Sequence, residues 1–259
     1  MRLRACVAGV MTAALFAAPA NAGTWWQPTP GTTWQIQFSG ALDTADYNVQ
    51  AFDVDMFDTS VQHVEDIHAK PAKAICYIDA GSWENWRPDA SKYPKRVLGR
   101  ALTGWAGERW LDIRRIGVIG PILGARADDC AAKGFDAVDF DNVDGYANNT
   151  GFPLTAADQI RFNRFIANLA HNAGLAVGLK NDLGQVRRLE PSFDFAVNEQ
   201  CVQYKECGRL KPFVDAGKAV FNIEYRGNMT AICVVTRPLQ LSTLKKHLSL
   251  DAYSEVCPP

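Results

Sequence analysis

The segment GFDAVDFDNVDGY, residues 134–146, decides the fold. Within it Ala137–Asp141 has the length of a buried strand, and acids and amides follow directly. Helix-like segments lie on both sides, at Ile119–Lys133 and Thr155–Asn172, and each is followed within two residues by a glycine. A strand flanked by helices is typical of the βα unit of a parallel sheet.

The same pattern recurs along the chain and predicts eight strands. We expect them at Trp34–Phe38, Val49–Asp53, Ala74–Ile78, Ala137–Asp141, Ala176–Lys180, Phe193–Val197, Ala219–Ile223 and Leu239–Leu241. Eight strands in a chain of 259 residues fit one (β/α)8 barrel of the α/β class. A third helix is expected at Lys205–Ala216, the short polar link Ser39–Asn48 predicts a degenerate first βα unit, and Ser82–Ile113 predicts an enlarged loop.

The N-terminus has the pattern of a secretory signal peptide. Arg2 and Arg4 precede the apolar stretch Ala5–Ala18, and Ala20-Asn21-Ala22 predicts cleavage after Ala22. We therefore expect a secreted protein, extracellular or periplasmic, in which residues 1–22 are the leader and residues 23–259 form one barrel domain. No later segment approaches the roughly 20 apolar residues of a membrane span, so no membrane partner is expected.

Cysteine usage agrees with export. Six of the seven cysteines follow the leader, and an even number in a secreted chain predicts disulfides. Cys201 and Cys207 can close a small loop, and Cys233 with Cys257 would tie the C-terminal region. Cys76 and Cys130 are either a third pair or buried free thiols. No CxxC spacing supports a zinc site.

The overall charge argues against a polyanionic partner. Lys and Arg number 27 against 28 Asp and Glu, for a net charge of −1. This balance offers no general attraction to phosphate backbones, so nucleic acid is not an expected partner. We also expect a monomer.

Carboxylates and amides follow the predicted strands. In a (β/α)8 barrel the C-terminal strand ends meet on the face that carries the active site. Each acid taken alone is more often a turn residue or a helix cap. Together these acids would concentrate negative charge on one face, which favours a functional site. They are Asp53, Asp55, Asp79, Asp139, Asp141, Glu199 and Glu224.

Strand alternation narrows the catalytic candidates. Asp139 and Asp141 share one face of their strand, whereas Val138 and Phe140 share the other. A pair of carboxyl groups is what glycoside cleavage requires: one protonates the leaving oxygen and one attacks or activates water. Trp83, just after Asp79, is a candidate sugar contact, because an indole offers a flat apolar face with a polar tip. Trp86 is a second candidate sugar contact. At least half of the tryptophans in predicted loops should only pack the loop; these tryptophans are Trp25, Trp26, Trp83, Trp86, Trp105 and Trp110.

Several longer segments resemble glycoside hydrolase family 114, the endo-α-1,4-polygalactosaminidase group. The resemblance runs from about Trp34 to Cys257. It is carried by FDVDMFD (52–58), ICYIDAG (75–81), WLDIR (110–114), GFDAVDFDNVDGY (134–146), VGLKN (177–181), FDFAVNEQC (193–201) and AVFNIEY (219–225). It implies a (β/α)8 barrel that cleaves α-1,4-linked galactosamine polymers, wholly or partly N-acetylated, with Asp141 as nucleophile or base and Glu199 as acid/base.

The strand ends and the resemblance together select the substrate-binding candidates. A mouth lined with carboxylates would attract the ammonium groups of a deacetylated, cationic amino-sugar polysaccharide. No cofactor and no metal are expected. The candidates are Asp53, Tyr77, Asp79, Trp83, Asp139, Asn142, Lys180, Asn181, Asn198, Glu224 and Tyr225.

The same residues disfavour three alternative functions. A calcium-dependent or other metal-dependent hydrolase is disfavoured, because the loop from Asp139 has its glycine one position late for an EF-hand and Thr150 at position twelve. A non-catalytic polysaccharide-binding barrel would tolerate loss of Asp141 or Glu199, and both are present. A serine hydrolase lacks its Gly-x-Ser-x-Gly elbow. Sequence does not distinguish retaining from inverting cleavage.

Overall fold

A computed structural model describes residues 25–257 of the chain. The predicted leader, with its cleavage site at Ala22, lies outside these residues. The described chain alternates strands with helices, as the sequence predicts. The strands in chain order are β1 Trp34–Gln37, β2 Ala51–Asp55, β3 Lys73–Asp79, β4 Ser82–Glu84, β5 Leu98–Ala101, β6 Glu108–Leu111, β7 Ala137–Asp141, β8 Ala176–Lys180, β9 Phe195–Glu199, β10 Val220–Glu224, β11 Ser242–Lys245 and β12 Glu255–Val256.

Eight of these strands form one curled parallel sheet, in the order β1-β2-β3-β7-β8-β9-β10-β11. Neighbouring strands are parallel throughout, and the short β12 adds an antiparallel edge to β11. This confirms the predicted α/β barrel class.

The helices cover the outer surface of this sheet. Their bounds are α1 Val61–His68, α2 Ile116–Lys133, α3 Ala156–Asn172, α4 Val186–Leu189, α5 Lys211–Asp215 and α6 Met229–Thr236. The predicted N-terminus of α3 is confirmed, because the Thr155 side chain accepts from the Asp158 backbone N–H and the Asp158 side chain accepts from the Thr155 N–H. Only a 3-10 turn, Thr44–Asp46, lies between β1 and β2, so the first βα unit is degenerate as expected.

Side chains alternate between two buried layers along each strand. Val138 and Phe140 pack outward in the layer between sheet and helices. Ala137 points inward with Ile75 and Phe195. Gly178 is required here, because a Cβ at this position would lie 2.4 Å from the Phe195 ring. Asp139 and Asp141 therefore point into the barrel, as strand alternation predicts.

Two predicted elements are wrong in position. The eighth strand is Ser242–Lys245 rather than Leu239–Leu241, because Pro238 lies in a 3-10 turn that ends at Gln240 with φ +55°. The helix expected at Lys205–Ala216 shortens to α5, because Lys205 has φ +59° and the preceding disulfide loop is not helical.

Individual hydrogen bonds, rather than a backbone ladder, connect β1 to the segment that begins with β11. Within residues 25–257, β1 has no ladder to β11. The indole N–H of Trp34 instead donates to the carbonyl of Ser242 at 2.8 Å, and Nζ of the buried Lys246 lies 3.1 Å from Oε1 of Gln35. The Phe38 N–H donates to the Leu250 carbonyl at 2.8 Å.

The enlarged loop after β3 has its own secondary structure. β4, β6 and β5 form a three-stranded antiparallel sheet in that order. Gly81 connects it to the barrel at a close approach, because a Cβ there would lie 1.7 Å from the carbonyl oxygen of Asn142. This small sheet therefore stands over the C-terminal end of β7.

Three disulfides cross-link the fold. Cys201–Cys207 and Cys233–Cys257 pair as the sequence predicts. Cys76 of β3 pairs with Cys130 of α2, which resolves the alternative left open for these two residues. No helix in residues 25–257 combines the length and apolar character that a bilayer crossing requires.

Candidate active site

A cavity of about 580 Å³ opens at the C-terminal end of the barrel strands. Its floor is made by residues at or after these strand ends, and its wall comes from the β5–β6 hairpin. The lining residues are Phe38, Tyr77, Arg100, Ala101, Leu102, Thr103, Trp105, Glu108, Trp110, Asp141, Asn142, Val143, Asp144, Asn148, Asn149, Lys180, Asn181, Glu199, Tyr225 and Leu250. Both predicted catalytic acids face this cavity.

Asp141, the last residue of β7, is held as a carboxylate. Oδ2 accepts from the Tyr77 hydroxyl at 2.8 Å, and Oδ1 accepts from the Asn142 N–H at 2.7 Å. Nζ of Lys180 lies 3.1 Å from Oδ1. Burial acts to raise the pKa of Asp141, but Lys180 and these hydrogen bonds outweigh it and lower that pKa.

Glu199, the last residue of β9, has mainly neutral partners. Oε1 accepts from the Tyr225 hydroxyl, and Oε2 accepts from the Asn181 amide at 3.4 Å. Nζ of Lys180 lies 3.9 Å from Oε2. The Asn181 side-chain oxygen accepts from the Glu199 backbone N–H at 2.9 Å, which ties the end of β9 to that of β8.

Lys180 stands between the two acids. Because its Nζ lies 3.1 Å from Oδ1 of Asp141 and 3.9 Å from Oε2 of Glu199, these two oxygens are at most 7.0 Å apart. Burial acts to lower the pKa of Lys180, yet the neighbouring carboxylates raise it, so the side chain stays cationic. The two acids therefore converge on one gap of the size of a sugar ring.

The chain turns sharply after each strand that carries these groups. Asn142, Asn181, Asp182 and Gln200 have positive φ angles of 58°, 49°, 48° and 65°. Non-glycine residues adopt this left-handed conformation rarely, and Asn and Asp tolerate it best. The Asn and Asp residues that follow β7 and β8 thus serve both as turn residues and as lining residues.

A pair of buried carboxyl groups lies beneath the cavity floor. Asp53 and Asp139 are inaccessible to solvent and do not line the cavity. Burial raises the pKa of Asp139 to about 7, and burial together with Asp139 raises the pKa of Asp53. None of the four carboxyl oxygens of this pair has a hydrogen-bond partner in the part of the chain that the structure describes. The nearest cation, Lys180, is 3.9 Å from Asp139 Oδ2.

The predicted substrate-binding residues fall into those that line a cavity and those that do not. Tyr77, Asn142, Lys180, Asn181 and Tyr225 line the cavity with the two acids, and Asn198 lines a second cavity beside Glu199. Five candidates line neither cavity: Asp53, Asp79, Trp83, Asp139 and Glu224.

These excluded side chains have structural contacts instead. The Trp83 indole donates to the Ala90 carbonyl at 3.0 Å inside the enlarged loop. Asp79 accepts from the Ser82 N–H at 2.8 Å and the Asn142 amide at 3.0 Å. Glu224 accepts from the Val202 N–H at 2.8 Å. Each therefore holds a neighbouring loop segment and lies outside both cavities.

The β5–β6 hairpin supplies lining residues that sequence reasoning did not select. Trp105 is 48% exposed although it belongs to the lining, and Glu108 has its pKa raised to about 7 by burial. Gly104 and Gly107 flank Trp105 with φ above +90°. A tryptophan between two turn glycines is poorly placed to pack a core. The sequence around Trp105 therefore held a signal for an exposed, cavity-lining role.

No cluster of histidine, cysteine or acidic side chains in residues 25–257 has the arrangement of a metal site. Nζ of Lys180 instead lies among the carboxyl groups of Asp139, Asp141 and Glu199 and provides a positive charge next to them. The arrangement can hold one carboxylate ionised beside a second carboxyl group that has hydroxyl and amide donors.

Solved structures of other proteins share this fold. The chain is similar to Ega3 of Aspergillus fumigatus, solved in complex with galactosamine, at 38% identity and a TM-score of 0.86, covering 92% of this chain and 100% of that one. The glycoside hydrolase domain of PelA from Pseudomonas aeruginosa shares the fold at 11% identity and a TM-score of 0.69, covering 87% and 98%. Trehalulose synthase MutB of Pseudomonas mesoacidophila shares it at 10% identity and a TM-score of 0.55, covering 76% and 57%.

No curated protein sequence matches the chain. Residues 16–259 match the glycoside-hydrolase family GH114. With a similar solved structure and a two-carboxylate cavity at the barrel mouth, the chain is a glycoside hydrolase and belongs to family GH114.

Proposed function

We propose that this protein is a secreted, endo-acting hydrolase of α-1,4-linked galactosamine polymers. The observation that carries the proposal is that Asp141 and Glu199 face one cavity with carboxyl oxygens at most 7.0 Å apart around Lys180. The family implies the polymer class, and the similarity to Ega3, solved with galactosamine, supports an amino sugar as the bound unit.

The different environments of the two acids support different roles. Asp141 has a lowered pKa, because Lys180, Tyr77 and the Asn142 N–H stabilise its ionised form. An ionised carboxylate suits attack on the anomeric carbon. Glu199 lies on the other side of Lys180 from Asp141, so we assign it proton donation to the leaving oxygen.

In the first step Glu199 gives its proton to the glycosidic oxygen as that bond to the anomeric carbon breaks. Asp141 forms a bond to the same carbon, which gives a covalent glycosyl-enzyme. In the second step Glu199, now ionised, takes a proton from water, and the water oxygen displaces Asp141. The limit of 7.0 Å between Oδ1 of Asp141 and Oε2 of Glu199 includes the separation of about 5–5.5 Å that a retaining course requires.

The charge and shape of the cavity support a cationic polymer as substrate. Four acids line it, Asp141, Asp144, Glu108 and Glu199, against two cations, Arg100 and Lys180, so the lining carries an excess of carboxylates above the raised pKa of Glu108, which is about 7. An excess of carboxylates attracts ammonium groups of a deacetylated sugar. The second cavity continues the lining past Glu199, which suits a chain bound on both sides of the cleaved bond. Three disulfides support an oxidising destination outside the cytosol.

The test is hydrolysis of purified poly-α-1,4-galactosamine, followed by mass spectrometry of the products. Wild type should release oligosaccharides of several lengths early in the reaction, which is the signature of internal cleavage. Asp141→Asn and Glu199→Gln should reduce the rate by at least about 1,000-fold, because each removes a reacting group. Asp215→Asn, an exposed acid paired with Lys211, should behave as wild type. Equal activity of all four proteins would contradict the proposal.

A further inference from the structure

The last residue of β3 lies directly beside the last residue of β7. Asp79 is the register partner of Asp141 in the parallel ladder of these two strands. The turn that follows β3 contacts the same place, because the N–H groups of Ala80 and Gly81 donate to the Asp141 carbonyl at 3.2 and 3.0 Å. The β3–β4 turn therefore packs on the peptide that joins Asp141 to Asn142.

Asn142 connects Asp79 to the proposed nucleophile. Its backbone N–H donates to Oδ1 of Asp141 at 2.7 Å. Against the effect of burial, Lys180 and this N–H lower the pKa of Asp141. Asn142 has φ +58°, a conformation that a non-glycine residue keeps only where its surroundings hold it. Its side-chain amide donates to Oδ2 of Asp79 at 3.0 Å, so Asp79 holds the residue whose N–H stabilises the carboxylate.

The other contacts of the Asp79 side chain come from the small antiparallel sheet. Oδ1 accepts from the Ser82 N–H at 2.8 Å, and the Ser82 hydroxyl contacts both Oδ2 of Asp79 and Oε2 of Glu108. A hydroxyl has one proton and can donate to only one of two carboxyl groups, so the other must be protonated and donate to it. Asp79 suits the protonated position, because burial and the charge of Glu84 raise its pKa well above the ordinary value. A chain of hydrogen bonds therefore runs from Glu108 in the cavity wall to Asn142.

We propose that Asp79 is a positioning residue for catalysis, which fixes Asn142 so that the Asn142 N–H points at the Asp141 carboxylate. The inference rests on the proposed function, in which Asp141 is the nucleophile. Asp79 lines neither cavity, so its effect is indirect. Without this anchor Asn142 can turn, and the ionised nucleophile loses a donor. Attack then slows while substrate binding changes little, because the lost contact is not a contact with substrate.

The charges around the two aspartates determine how a test can be read. The titratable groups that face Asp79 are Tyr77, Glu84, Tyr93, Glu108 and Asp141, and Arg126 donates to the Asp79 carbonyl at 2.9 Å. Those around Asp141, besides Tyr77 and Glu108, are Asp53, Asp139, Asp144, Lys180, Glu199 and Tyr225. All of them are unchanged in the variants below. Because the pKa of Asp79 is raised and that of Asp141 is lowered, Asp79 is protonated where Asp141 titrates, and Asp79→Asn alters no charge there.

Asp79→Asn is the first test variant, because it keeps the shape of the side chain and removes one acceptor. Its amide oxygen still accepts from the Ser82 N–H and its NH2 group donates to the Ser82 hydroxyl, but an NH2 group cannot accept from the Asn142 amide. The measurement is kcat and KM on galactosamine polymer from pH 3 to 9. We expect kcat to fall about tenfold, KM to change less than about twofold, and the acidic limb of kcat/KM to move up by about half a pH unit.

Asn142→Gly is the second variant. Glycine keeps the positive φ angle and the backbone N–H but removes the amide that Asp79 holds. This variant should move the acidic limb in the same direction. In the double variant kcat and the acidic limb should match those of Asn142→Gly alone, because Asp79 acts only through Asn142.

The pKa of Asp141 provides a readout that needs no substrate. A carbon-13 NMR titration of the Asp141 carboxyl group, assigned by its loss in Asp141→Asn, should give a midpoint about half a pH unit higher in Asp79→Asn than in wild type. A role in loop stability alone would not move this midpoint.

Asp194→Asn is the matched control. Asp194 is a buried acid that accepts from the Val177 N–H at 2.9 Å, and it directly precedes β9 at the end of the barrel opposite the cavity. Its replacement should lower the melting temperature and leave kcat and the pH profile unchanged.

The inference is overturned if the acidic limb or the Asp141 midpoint of Asp79→Asn stays in place or moves down, or if the effects of Asp79→Asn and Asn142→Gly multiply. Should Asp79→Asn not fold, Asn142→Gly decides alone, and an unmoved Asp141 midpoint in that variant overturns the inference. The proposed function fails by a different result, namely a wild-type enzyme that releases no product from the polymer.

Discussion

Nζ of Lys180 lies 3.1 Å from Oδ1 of Asp141, and both side chains end at the floor of the same cavity. The lysine is the last residue of β8 and the aspartate is the last residue of the neighbouring β7. Parallel pairing therefore places a cation beside the carboxylate that we assign as nucleophile. Without it, burial would drive Asp141 toward its protonated form, which cannot attack.

Replacing Lys180 should shift the acidic limb of the pH–rate profile. Lys180→Met removes the cation, so the pKa of Asp141 rises and the ionised form is lost at a higher pH as the solution is acidified. We expect the acidic limb of kcat/KM to move up by about one to three pH units, with the maximum reduced by at least tenfold. The measurement is kcat/KM from pH 3 to 9 on galactosamine polymer.

Lys211→Met is the matched control for this experiment, because Lys211 is an exposed lysine paired with Asp215 on α5. Its profile should overlay that of wild type. An unmoved acidic limb in Lys180→Met would contradict the assigned role of Lys180.

The anomeric configuration of the first product should be retained. We expect direct attack because Lys180, Tyr77 and the Asn142 N–H stabilise Asp141 as a carboxylate at the cavity floor. Proton NMR of an α-linked substrate during the first minutes should show the α anomer before mutarotation produces the β anomer. Initial appearance of the β anomer would assign Asp141 to base catalysis instead.

Two exposed tryptophans of the enlarged loop should differ in their effect on binding. Trp105 lines the cavity, whereas Trp86 is 52% exposed and lies outside both cavities. Trp105→Ala should raise KM by about tenfold with little change in kcat, because it removes a stacking face without touching the reacting groups. Trp86→Ala should leave both constants unchanged. A larger effect from Trp86→Ala would place the substrate on a different part of the loop.

Salt should weaken binding of deacetylated polymer. At pH 8, above the raised pKa of Glu108, the cavity lining has an excess of ionised acids, while the whole chain has a net charge of only −1, so attraction for an ammonium-bearing chain is local to the site. We expect KM to rise several-fold between about 20 mM and 500 mM sodium chloride, as the Debye length shortens from about 20 Å to about 4 Å. A fully N-acetylated polymer is the control. Identical salt dependence for both polymers would rule out steering by charge.

Much of the fold could be predicted because it depends on local patterns. Val138 and Phe140 alternate with Asp139 and Asp141, and that alternation alone places the acids inside the barrel. Thr155 and Asp158 mark the start of α3 by a capping box. Closure of the barrel through Trp34 and Ser242 was not predictable, because it joins residues 208 positions apart by a side-chain contact.

The candidate site was predicted less completely, because a strand end shows that a residue lies near the mouth but not how deep it lies. Asp53 and Asp139 are buried below the cavity floor, and Asp79 turns toward Ser82. Trp83 was selected for its nearness to Asp79 in sequence, but its indole donates to Ala90. Trp105, from the distant end of the same loop, reaches the cavity through the pairing of β5 with β6.

The sequence by itself determined which residues alternate inward, where the helices begin and which acids lie at strand ends, since these follow from the period of the backbone. Only the tertiary structure decided which of those acids line the cavity, which are buried beneath it, and that Lys180 lies between Asp141 and Glu199. The reason is physical: burial and the distance between charges set the ionisation of a carboxyl group, and both depend on strands that are far apart in the chain.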